Sequence, residues 1–160
     1  IKRDFNNEAI GPWQPQKNRF ENEIVWRTRR RNDIKTIAPG PHLARVLLSF
    51  LQVPGHCIVM VVDEVAEREN QFPMFGRAVP TRCNFNFALR TAQKTGALVL
   101  PTGIVRTAPG RHDFHYFAPV DVPPGRDGLA EAAHALDAVY EAHIKAHLDQ
   151  WYMLHNLRLP

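Results

Sequence analysis

Six apolar residues in a row, Cys57 to Val62, lead into two carboxylates, Asp63 and Glu64. The run is far too short to span a bilayer. It lacks the alternation of a half-exposed strand and so predicts a fully buried, parallel strand whose C-terminal end carries Asp63. Such a strand needs a layer of helices on its faces, and the rest of the sequence supplies them. Phe20 and Ile24 mark a short amphipathic helix over 16–30, and residues 33–38 a short strand. Pro41 suits the first turn of a helix with Leu43, Val46, Leu47, Phe50 and Leu51 on one face, ended by Pro54-Gly55.

After the apolar run, residues 81–96 read as a helix from a Thr81 cap to Gly96. Residues 97–107 and 112–120 read as strands joined by the turn Ala108-Pro109-Gly110-Arg111. A long helix capped by Asp127 carries Leu129, Ala133, Leu136, Tyr140, Ile144, Leu148 and Trp151 in one stripe. This order gives an α/β class: a layered mixed sheet flanked by helices. The 160 residues fit one domain, with 1–16 as a loop-like extension.

A net charge of +4 and thirteen prolines describe a mildly basic chain of short elements and stiff loops. Anionic partners fit: phospholipid headgroups or nucleic acid. Trp26 stands beside Arg27, Arg29, Arg30 and Arg31, and guanidinium groups hold phosphate in bidentate fashion. The same run serves equally as a solvated helix end. Cys57 and Cys83 have no metal or redox spacing and read as structural thiols. His143 and His147 are four apart, without a third ligand in view, and read as helix-surface histidines; no metal and no cofactor are expected. His112-Asp113 beside the hairpin turn lacks a nucleophile. Neither phosphate-binding glycine loops nor nucleophile elbows occur.

Asp63 either orients polar groups of a substrate or fixes the loop that follows it. That loop, Gln71 to Arg82, is unusual. It places Phe72, Met74 and Phe75 around a proline, where turn signals normally come with polar residues.

Three segments together resemble one family. Residues 72–120 carry Phe75-Gly76, Ala88-Leu89, Thr95-Gly96-Ala97, Pro101, Val105-Arg106, Gly110-Arg111 and Pro119. Residues 147–157 carry Asp149, Gln150, Trp151, Leu154 and His155, and the apolar run ends on Asp63. In order and spacing these resemble the bacterial lipid A biosynthesis (lauroyl/myristoyl) acyltransferases, within the lysophospholipid acyltransferase group. The resemblance implies transfer of a fatty acyl group from an acyl carrier protein or CoA thioester to a hydroxyl of a lipid or glycolipid. The setting would be the cytoplasmic face of the bacterial inner membrane, with a membrane surface rather than nucleic acid as partner. Asp63, Phe75 and Gly76 would shape the acyl-site wall; Arg106, Arg27 and Arg30 would hold anionic groups.

The family's catalytic pair is a histidine with a carboxylate five residues on. None of the eight histidines here has one. The chain is therefore expected to be the C-terminal portion of the fold and inactive alone. Its cut sheet edge would be covered by an upstream segment or a partner chain. A non-catalytic accessory subunit of a larger membrane-associated complex is the alternative.

Overall fold

The computed structural model describes residues 8–31, 35–66 and 68–158. The chain is mixed α/β, with four helices and several small sheets among the described residues. It divides into two compact units, Ile1–Met60 and Val61–Pro160.

The first unit is a three-stranded parallel sheet. Strand β1 (Glu8–Pro12) leads to helix α1 (Arg19–Arg31), strand β2 (Lys35–Ile37), helix α2 (Leu43–Leu51) and strand β3 (His56–Ile58). The order is β2-β1-β3, with both pairings parallel. Parallel neighbours require crossover connections, and α1 and α2 provide them. Residues 8–12 correct the expectation of a loop over 1–16. Gly11 and Pro12 suggested a turn, but both sit in the central strand. A Cβ at Gly11 would lie 3.2 Å from the Val59 carbonyl oxygen, so the bare backbone is what lets the chains pass closely. The carboxylate of Glu8 pairs with Lys35 Nζ at 2.6 Å and faces His56 at 3.9 Å, tying β1 to both neighbours. Leu47 of α2 is completely buried, and Phe50 stacks on His56 at 4.1 Å. Asp33 and Ile34 of the expected second strand lie outside the described residues.

The apolar run departs from expectation. Only His56–Ile58 form ladder strand, extended by the Val59 N–H donating to Ile10 O at 2.9 Å. Val59 and Val61 are exposed, at 50% and 71%. A strand is buried on both faces only where neighbours cover both, and that is a tertiary condition.

The second unit is built on helices α3 (Asn84–Thr95) and α4 (Gly125–Ala146). Phe85, Leu89 and Ala92 of α3 fall on one face and meet Ala132, Ala133 and Leu136 of α4 in a core with Phe72, Met74 and Val122. Helix α3 begins two residues later than the Thr81 cap predicts. Cys83 is the cap, its sulfur accepting the Asn86 N–H at 3.4 Å, while Glu64 accepts the Asn84 N–H at 2.7 Å. The helix stops on Gly96, whose φ of 70° is the left-handed conformation that glycine adopts without strain.

Helix α4 is capped at Pro124 rather than Asp127, and Trp151 lies beyond its end, after the short turn Leu148–Gln150. A two-stranded antiparallel ribbon, β6 (Thr102–Ala108) and β7 (Arg111–Tyr116), turns at Pro109-Gly110 as the sequence predicts. A smaller antiparallel pair joins β4 (Val65–Ala66) to β5 (Glu69–Asn70). On the ribbon, Gly103 sits opposite His115 and against the His143 ring. A Cβ there would come within 2.7 Å of His143 Cδ2, so any larger residue would have to displace the His143 ring.

Candidate functional site

The greasy loop resolves into two kinds of residue. Phe72 and Met74 are core residues, at 0% and 1% exposure. Phe72 stacks on Phe85 at 3.8 Å and meets the edge of Tyr140 at 5.4 Å. Phe75 alone turns away from that core. It is half-buried, holds a positive φ of 50°, and packs its ring on Trp151 at 5.5 Å. Gly76 follows with φ 83°, a backbone turn that glycine accommodates freely.

Two side chains hold this loop in shape. The Arg77 guanidinium reaches back along it. Nε donates to Met74 O at 2.7 Å, Nη1 to Asn70 O at 2.6 Å, and Nη2 to Pro73 O at 2.7 Å. Nη1 also meets the Glu69 carboxylate at 3.2 Å, and Nη2 the Asn70 side-chain oxygen at 3.4 Å. From the other side, Asp137 of α4 accepts the Met74 N–H at 2.5 Å. Burial pushes the Asp137 carboxyl above the ordinary carboxylate value; the Met74 N–H pulls the other way.

The C-terminal segment closes the site. Gln150 accepts the Arg106 backbone N–H through Oε1 at 2.8 Å, which docks the segment on β6. Trp151 then lands on Phe75. Asn156 Nδ2 donates to Arg68 O at 3.4 Å.

Asp63 is half-buried at the end of the apolar run. Burial raises its carboxyl above the usual 3.8, opposed by a hydrogen bond from its own backbone N–H. A raised native pKa means the folded state holds the proton more tightly than the unfolded chain. The stability from this group is then full below the unfolded value and lost as pH rises through the folded one. Asp63→Asn is accordingly expected to stabilise the protein near pH 7, with the advantage shrinking towards about pH 4. Urea denaturation of both proteins at the two pH values checks this. A less stable Asp63→Asn at neutral pH would show that the ionised carboxylate is held by a partner.

The remaining sequence candidates divide between the units. Arg27 and Arg30 lie on α1, in the first unit. Arg27 pairs with Glu23 at 2.6 Å yet keeps a side chain 75% exposed, and Arg30 lies over the Trp26 ring at 5.1 Å. Asp63, Phe75, Gly76 and Arg106 belong to the second. Arg106 is exposed and shares a ribbon face with Ile104 and Phe114. His143 and His147 contact one another at 5.1 Å, and His115 joins them at 5.3 Å from His143. Burial and then its two neighbours lower the His143 pKa, so its ring is neutral at physiological pH. No group of three or more His, Cys, Asp or Glu suited to a metal ion occurs among the described residues. Burial raises both cysteine thiols, and Cys83 is occupied as a helix cap, which makes both poor nucleophiles.

Sequence reasoning missed Arg77 and Asp137. Asp137 had a legible signal: a carboxylate beside Leu136 and Ala133 on a buried stripe needs an N–H donor from elsewhere. Arg77 had a weak one, because its three shortest hydrogen bonds go to backbone carbonyls that any sequence would present.

No helix among the described residues is long and apolar enough to cross a membrane. No curated protein matches the chain. The family model for bacterial lipid A biosynthesis acyltransferases matches residues 6–159, spanning Asp63 at the end of the apolar run, the Phe-Gly loop and the C-terminal segment packed on it. The chain belongs to the bacterial lipid A biosynthesis acyltransferase family.

Proposed function

We propose that this chain forms the acyl-binding wall of an enzyme that moves a fatty acyl group from an acyl carrier protein or CoA thioester to a lipid or glycolipid hydroxyl. The site of action in this reading is the cytoplasmic face of the bacterial inner membrane. Family membership supports acyl transfer in general. The observation that carries the finer reading is the Phe75–Trp151 contact on a loop pinned from both sides. A pinned loop that turns one aromatic away from the core suits an apolar chain better than water.

In the reaction, the acceptor oxygen bonds to the thioester carbonyl carbon, the C–S bond breaks, and the thiol leaves. A general base takes the hydroxyl proton. The residues here bind and orient: Phe75 and Gly76 line the acyl chain, and Asp63 orients polar groups at the loop's base. Arg106 meets carrier or headgroup phosphates. No residue of this chain is assigned as the base, since no histidine has a carboxylate five positions on. That same absence favours a second reading, a non-catalytic accessory subunit. Assay of the natural protein for acyl transfer from lauroyl-carrier protein to a lipid acceptor separates the two. Turnover supports the enzyme; saturable acyl binding without turnover supports the subunit.

Arg27 and Arg30 are proposed to meet anionic headgroups, each contributing about 1 kcal/mol near a charged surface. Arg27→Ala with Arg30→Ala is expected to weaken binding to phosphatidylglycerol vesicles by about 10-fold or more at low salt. Binding to phosphatidylcholine vesicles should not change. Unaltered affinity for the anionic vesicles would remove the headgroup role.

A further inference from the structure

Two buried side-chain nitrogens lack any hydrogen-bond partner among the described residues: Asn70 Nδ2 and Trp151 Nε1. Both belong to residues that border the Phe-Gly loop. Asn70 is completely buried, and its side-chain oxygen and backbone carbonyl both face the Arg77 guanidinium. Its amide is thereby fixed with the nitrogen turned elsewhere. Trp151 packs against Phe75, and its indole has one donor and no acceptor.

An unmet buried donor is costly to desolvate, and native proteins keep few of them. That two of them flank one loop points to an acceptor this loop receives. We propose that the Trp151 indole N–H donates to the carbonyl oxygen of a bound acyl group, fixing the head of the chain that Phe75 lines. This rests on the acyl-wall reading and assigns a residue to its polar end.

The chemistry favours a neutral carbonyl over a phosphate. The donor is a single N–H beside an aromatic ring, whereas an oxyanion needs several donors or a counter-charge. The nearby guanidinium of Arg77 is already committed to the loop's own carbonyls. Such a carbonyl occurs in a donor thioester and in the ester of an acylated lipid, and the test distinguishes them.

Trp151→Phe keeps the aromatic packing and removes only the N–H. Binding of three probes to the wild-type chain and this variant is measured by calorimetry, with thermal melts confirming that both fold. Lauroyl-pantetheine offers a thioester carbonyl and 1-lauroyl-glycerol an ester carbonyl. S-dodecyl-pantetheine has the chain without the carbonyl. The expected result is a loss of about 3- to 10-fold for the carbonyl probe the site takes, the value of one hydrogen bond, with the thioether unchanged. Whichever carbonyl probe loses affinity names the source. Equal affinities in the two proteins for every probe, or an equal loss for the thioether, would overturn the donor role and leave the acyl wall standing. If wild type binds none of the three, the acyl-wall reading itself fails, and the donor role goes with it.

Discussion

Phe72→Ala is expected to cost about 3–5 kcal/mol of folding stability, the range for truncating a fully buried aromatic ring. The ring is sealed between Phe85 and Tyr140 and shares its core with Met74, Leu89 and Leu136. Relaxation cannot fill the space, because the neighbours sit on two helices already packed together. Against a typical total of about 5–15 kcal/mol, the variant is left close to its unfolding threshold. The urea midpoint should fall sharply with little change in slope. Phe75→Ala should lower it far less, since that ring is half-buried and packs on Trp151. Two phenylalanines three positions apart would thus separate stability from the proposed acyl binding. Equal losses at both positions would contradict the assignment of Phe72 to the core and Phe75 to the site.

Arg77→Ala is expected to cost about 2–4 kcal/mol, because it strips partners from several half-buried carbonyls at once. The oxygens of Asn70, Pro73 and Met74 all accept from this one group, and that of Met74 also accepts the Arg77 backbone N–H at 3.0 Å. Arg77→Lys should recover only part of the loss. An ammonium is a point charge, while the carbonyls are spread around a planar fork. Chemical denaturation of the three proteins is the check, and wild-type stability in Arg77→Lys would sink the argument. Since the loop carries Phe75 and Gly76, both variants should also weaken acyl binding beyond what their stability predicts.

What could be read from the sequence was what local chemistry decides. Gly96 ends α3 because the left-handed turn needs glycine, and Pro109-Gly110 turns the ribbon for similar reasons. The spacing of Phe85, Leu89 and Ala92 places α3 on the core before any partner is known. The α/β class followed from the alternation of such signals. What escaped depends on residues far apart in the chain. Whether Val59 and Val61 are covered is decided by which strands lie beside them. The direction in which Phe72 and Phe75 point is set partly by Asp137, which lies 63 positions from Met74. The Cys83 cap was missed for a chemical reason: sulfur is a weaker acceptor than the hydroxyl of Thr81, and geometry overrode preference.

The contact between Gly103 and the His143 ring reaches beyond this one sequence. The ribbon and α4 approach so closely there that the two positions share a single volume. Relatives with alanine or serine at 103 should carry a smaller side chain at 143, and those keeping an aromatic ring at 143 should keep glycine at 103. The pair would then appear in an alignment as a covarying couple joining strand to helix. It would mark this packing even in members whose surrounding sequence has drifted.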